Sequence, residues 1–157
     1  MRMKRSMHRS VGGFSMIEVL IALVILGIGM LGLALLQTMN LRYTKSAQQR
    51  TQAINLASEI LDTIRANRSE FMAYTTITEA SFGSVTVPSG GCVANDALTS
   101  ANNIARWKCE VREALGPQAK AFVSFDATDN NMIVKVTWSE STLPGTGLGD
   151  ITLRTRI

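Results

Sequence analysis

The sequence predicts an α+β chain in which one long N-terminal helix covers a small antiparallel sheet built from C-terminal residues. Three observations carry this. Residues 14–67 contain no proline and read as one helix, apolar at its start and amphipathic further on. Residues 120–157 alternate apolar with polar side chains, the period of a strand with one covered face. Between them, Ser, Thr, Gly and Asn dominate from Phe71 to Asn103, the composition of a connection. With 157 residues the chain has room for one domain.

The first thirteen residues hold Arg2, Lys4, Arg5 and Arg9, no acid, and end in Gly12-Gly13. From Phe14 to Leu36 the chain is apolar and Glu18 is its only charge. As a helix this run is about 34 Å long at ~1.5 Å per residue, enough for a hydrocarbon core of ~30 Å. Positive flanks stay on the cytoplasmic side, so the N-terminus is expected inside and residues 37–157 outside. The net charge of +4 belongs wholly to the four leader cations. The remaining Lys and Arg balance the 12 Asp and Glu. The basic character is thus a targeting feature rather than a nucleic-acid footprint.

After Leu36 the helix becomes amphipathic. Ala47, Ile54, Ala57, Leu61 and Ile64 recur at helical spacing, with Arg50, Gln52, Asn55, Glu59 and Asp62 between them. This stripe is expected to pack on the chain's own sheet. The connection 71–103 is read as a loop with one short strand at Ser84–Val87. Asn103 is expected to cap a helix from Ile104 to Leu115, stopped by Gly116-Pro117. Three strands follow. Lys120–Ala127 places Ala121, Val123 and Phe125 on one face, and Asn131–Glu140 places Met132, Val134, Val136 and Trp138 there. Asp150–Ile157 sets Ile151, Leu153 and Ile157 against Thr152, Arg154 and Arg156. Asp129-Asn130 suits the tight turn between the first two. Thr142–Gly149 reads as a Gly-rich connection.

Cys92 and Cys109 both fall in the exported part. An even count in an oxidising compartment predicts a disulfide, typically worth ~2–4 kcal/mol.

The N-terminal signal is unlike a secretory signal, whose apolar core is about 7–15 residues and precedes its cleavage site. Here the run is longer and Gly-Gly stands before it. Cleavage at that point leaves the apolar segment on the product. Glu18 inside such a segment costs roughly 2.5–3.5 kcal/mol at a helix centre. Ser15-Met16-Ile17-Glu18 fits a capping box, and the helix dipole favours an acid there, but these terms are about 1 kcal/mol each. A partner for the carboxylate is expected.

Gly13-Phe14-Ser15-Met16-Ile17-Glu18 resembles the type III signal of type IV prepilins and pseudopilins. The resemblance continues through Glu18–Leu23, Gly29–Leu33, Gln37, Gln49–Ala53, Leu56-Ala57 and Ile64–Arg68. Over residues 12–68 the chain is similar to the minor-pilin family called type IV pilus modification protein PilV, with Arg65-Ala66-Asn67-Arg68 the most distinctive piece. The resemblance implies the type IV pilin fold and cleavage after Gly13, with Gly12, Gly13 and Phe14 as the processing site. It implies a peptidase that also methylates the new N-terminus at Phe14. It further implies that the Phe14 ammonium of one subunit meets the Glu18 carboxylate of a neighbour during assembly. The expected partners are the prepilin peptidase/methylase, other minor pilins, the major pilin, the inner-membrane assembly platform and the lipid bilayer.

The domains expected are a leader at 1–13, a membrane and filament-core helix at 14–36, an amphipathic helix at 37–67 and an extracytoplasmic head at 68–157. The inner membrane comes first, then the pilus. The nearest rival is a minor pseudopilin of type II secretion, and a more distant one an uncleaved single-pass membrane protein.

Catalysis finds no support. His8 is the only histidine and lies in the leader, so no nucleophile–histidine constellation or Cys/His metal set exists downstream. No cofactor and no enzymatic activity are expected. Gly27-Ile28-Gly29-Met30-Leu31-Gly32 has the letters of a dinucleotide loop but lies mid-span with no strand before it. It reads as a weak or closely packed stretch of helix. Asp126–Asn131 is oxygen-rich but lacks the EF-hand spacing, and reads as a solvated hairpin turn rather than a calcium site. No metal site is expected. Trp107 and Trp138 read as core anchors, and no direct nucleic-acid binding is expected.

Overall fold

The computed structural model describes residues 13–93, 99–140 and 147–157. Helix α1 runs from Met16 to Ala66. A 3-10 turn (Arg68–Glu70), the short α2 (Phe71–Tyr74), a second 3-10 turn (Glu79–Phe82) and α3 (Ser100–Leu115) follow. The chain ends in β1 (Lys120–Asp126), β2 (Asn131–Ser139) and β3 (Leu148–Arg156). It divides after Asn40 into two units.

In the first unit every described residue from Gly13 to Asn40 is exposed. The helix runs through Gly27, Gly29 and Gly32 unbroken, and a Cβ at any of them would meet no atom within 4 Å.

The second unit, Leu41–Ile157, is a packed α+β head. Its sheet has the order β1-β2-β3, antiparallel throughout. Lys120 pairs with Thr137 and Asp126 with Asn131, while Asn131 pairs with Arg156 and Ser139 with Leu148. This register puts Ala121, Val123, Met132, Val134, Val136 and Trp138 on one buried face. The upper part of α1 packs against that face, as the periodicity predicts, but through a rotated stripe. The buried residues are Ala53, Leu56, Ala57, Ile60, Leu61 and Ile64. Ala47 and Ile54 are exposed, Ile54 to 41%. At 100° per residue both stand about 90° or more from the centre of the packed face. The centre is held by Ala53 and Ile64, both fully buried.

Trp107, Val111 and Leu115 of α3 close the core with Tyr74, Ile77 and Phe82. The indole N–H of Trp107 donates to the Leu56 carbonyl at 2.8 Å, pinning α3 to α1. Helix α3 begins at Ser100, earlier than Ile104. Its cap is Thr99, whose hydroxyl accepts the Asn102 N–H at 3.3 Å, and Asn103 is inside the helix. Asn103 instead points its amide at the Tyr74 hydroxyl, 3.5 Å away.

The connection 71–103 holds more helix than expected, and Ser84–Val87 is not a strand. Its carbonyls go to α3 rather than to a sheet neighbour. Lys108 Nζ donates to the Ser81 carbonyl at 3.2 Å and Arg112 to the Val85 carbonyl at 2.6 Å. Cys92 is bridged to Cys109, with Cα atoms 5.8 Å apart. Three side chains from one turn of α3 thus hold this segment. Residues 94–98 of the expected loop and 141–146 of the connection before β3 lie outside the described residues.

Candidate functional site

The residues singled out by the sequence gather at the start of α1, where Glu18 and Val19 N–H groups donate to the Ser15 carbonyl at 3.0 and 3.3 Å. The helix therefore opens on backbone bonds; the reciprocal side-chain bonds of a capping box are not among those of the described residues. Phe14 is 84% exposed. Phe14 lies just before the helix, which begins at Met16, and Glu18 stands in its first turn. Phe14, Glu18, Val19, Ala22, Leu23 and Leu26 line one open lateral depression of about 580 Å³. Its walls are almost wholly apolar, with the Glu18 carboxylate as the charged group. Among the described residues no cation pairs with it. Gly13 is exposed, with free space around it, whereas Gly12 lies outside the described residues.

This arrangement has a definite chemical capacity. A long apolar helix with no covering surface requires lipid or other helices around it. Helix α1 is long and apolar enough to cross a membrane. A lone carboxylate on such a surface is strongly penalised until a cation meets it, and the penalty makes the encounter site-selective. An exposed Gly-Phe junction immediately before the helix is open to an enzyme.

Other sequence-flagged residues have different surroundings. At the Asp126–Asn131 turn, Asp126 Oδ1 accepts the Thr128 N–H at 2.9 Å. Asn130 takes φ 53°, and its carbonyl accepts the Ile157 N–H at 3.1 Å. The turn is closed by its own bonds. Trp107 and Trp138 are both fully buried core residues.

Two features of the head were not read from the sequence. Arg106 lies between two acids from different helices, 3.3 Å from Glu59 and 3.5 Å from Glu110. Burial pushes the Glu110 carboxyl above its ordinary range, and the nearby Glu59 and Glu113 add to this while Arg106 opposes it. The second is Glu140, only 6% exposed, whose carboxylate accepts the Ser46 hydroxyl at 3.0 Å. Arg106–Glu59 and Ser46–Glu140 join residues dozens of positions apart, so no local pattern announces them, whereas Glu110 lies one turn from Arg106 on the same helix.

Two family models match the chain. A model of the prokaryotic N-terminal methylation motif matches residues 8–34. A second, described as type IV pilin Tt1218, matches residues 35–109. No curated protein and no solved structure matches it.

Proposed function

The chain is a type IV pilin with a prepilin processing and methylation motif, and from that premise we propose that it acts as a minor pilin of the type IV pilus, of the PilV kind. It is a structural, membrane- or pilus-associated protein and not an enzyme. The motif implies processing by prepilin peptidase. In our reading the cut falls after Gly13, between the Gly12-Gly13 pair and Phe14, and the new Phe14 amine is methylated. Before assembly the chain is held in the inner membrane with its N-terminus cytoplasmic and its head outside. The apolar segment 14–36 then moves from lipid into the filament core.

The observation that carries the reading is the placement of Glu18 and Phe14 along one apolar depression at the helix start. After cleavage Phe14 would bear a cation that, methylated or not, can pair with the Glu18 carboxylate of a neighbouring subunit. In a low-dielectric surround such a pair forms only in the right register. The assembly platform, the major pilin and other minor pilins are the partners this implies. The Arg65–Arg68 ending of α1 supports the pilus over a pseudopilus of type II secretion.

The test is the amount of pili sheared from cells lacking the gene, with secreted type II substrates assayed in the same cultures. Fewer or no pili with normal secretion is the expected result. Normal pili with blocked secretion would move the chain to the secretion machine.

A further inference from the structure

The two edges of the sheet are unequal. The outer edge of β1 is covered: the Val123 N–H donates to the Ile77 carbonyl at 3.0 Å, and Phe71 packs edge-on against Phe125 with centroids 5.0 Å apart. Among the described residues the outer edge of β3 has no strand beside it. Its nine residues pair with β2 in unbroken register from Leu148 to Arg156 and include no proline. Alternate N–H and C=O groups of such a strand face away from its neighbour, forming a template for another strand.

Beside this edge lies a groove of about 260 Å³ between α1 and β3, lined by Ser58, Leu61, Asp62, Arg65, Leu153 and Thr155 among others. Ile151 and Leu153 are only half-buried on the α1 side. Arg65 pairs with Asp62 and donates to the Thr155 hydroxyl. Arg154 and Arg156 stand on the opposite, solvent side of the strand and have no ion pair among the described residues. The edge therefore offers an open ladder, with Ile151, Leu153 and Leu61 beside the Arg65–Asp62 pair on one face and Arg154 and Arg156 on the other.

We propose that the β3 edge receives an extended segment of a partner protein as a fourth strand, with acidic side chains toward Arg154 and Arg156 and apolar ones toward Ile151, Leu153 and Leu61. Strand addition takes its affinity from main-chain bonds and its selectivity from alternate side chains, which here must be acidic on one face and apolar on the other. Charge argues against a second copy as the occupant. Two copies standing in the same sense would set arginine against arginine, which is destabilising. An inverted copy would set Asp150 against Arg154, so self-association is an outcome to be measured. The inference rests on the head alone and goes beyond the minor-pilin reading.

The full chain in detergent micelles is titrated against a labelled peptide of alternating Val and Thr with two of the Thr replaced by Glu, and against its Lys counterpart, with fluorescence anisotropy as the readout. The Glu peptide is expected to saturate, and the Lys peptide and Arg154→Glu to weaken binding by about tenfold or more, since like charges face each other at close range. Thr152→Pro and Leu153→Pro sharpen the test, because neighbouring N–H groups of a strand point to opposite sides. The variant that loses the outward N–H should keep its circular dichroism and lose the peptide. If neither proline variant folds, Arg154→Glu decides. Three results would overturn the proposal: equal binding of both peptides unaffected by Arg154→Glu, saturable binding of a single-stranded oligonucleotide in place of the peptide, or concentration-dependent dimers that Arg154→Glu abolishes.

Discussion

Gly149 pairs with Trp138 across the β2–β3 ladder, and a Cβ there would fall 2.5 Å from the indole ring. The ring occupies the space that any other residue would need. Gly149→Ala is expected to destabilise the head by about 1–3 kcal/mol, the usual cost of overpacking, as read by thermal or urea unfolding. Glu110 makes a prediction in pH. Its folded carboxyl binds its proton more tightly than in the unfolded chain because it is buried beside Glu59 and Glu113. As pH rises through and above the ordinary value of 4.5, the folded state holds the proton that the unfolded state gives up, so stability falls. Glu110→Gln removes this fall. Urea unfolding at pH 4 and pH 7 should show the difference between variant and parent shifting in the variant's favour at the higher pH. A constant difference would mean that Arg106 fully offsets the burial. Neither effect is legible locally. Gly149 falls at the end of a stretch read as a Gly-rich connection, although it belongs to β3, and Glu110 sits in a plain helix.

The elements were legible where periodicity is long and misread where two local signals compete. The helix from Met16 to Ala66 and the three strands follow from spacing alone, because each repeats its pattern over many residues. Helix α1 ends where Asn67 folds back, its Nδ2 donating to the Thr63 carbonyl at 3.0 Å and to the Tyr74 hydroxyl at 3.3 Å. The start of α3 moved from Ile104 to Ser100 because Thr99 could cap as well as Asn103. The short strand at Ser84–Val87 failed because a strand needs a neighbour, and Arg112 and Cys109 reached the segment first. The disulfide was expected from compartment and count, and Cys92 and Cys109 are indeed bridged. Removing it by Cys92→Ser with Cys109→Ser should cost about 2–4 kcal/mol. Limited proteolysis should then open sites between Gly83 and Val93 before the core unfolds, since Arg112 to the Val85 carbonyl is then the side-chain hydrogen bond left to that segment among the described residues.

At the scale of the whole molecule, the core of the head is built from residues no earlier than Ala53. A chain beginning at Leu41 is therefore expected to fold and remain in solution without detergent. Its melting temperature should lie within a few degrees of the head in the full chain, a shift that corresponds to about 1 kcal/mol or less. The apolar segment is then reserved for lipid and for neighbours, and the consequence falls on Glu18. Glu18→Ala should still insert in the membrane and be cleaved, yet be depleted from sheared pili by about tenfold or more, because pairing of a buried charge is worth several kcal/mol. Immunoblots of membrane and pilus fractions measure this, and normal incorporation would remove the assembly role. The sequence by itself determined the membrane-length helix, the signal before it, the lone carboxylate within it and the alternation of the strands, since these are properties of consecutive residues. Only the tertiary structure decided which stripe of α1 is buried, what holds residues 81–92, that Arg106 meets Glu59 and which sheet edge stays open. Those depend on groups distant in the chain meeting in space, and neither spacing nor composition encodes the meeting.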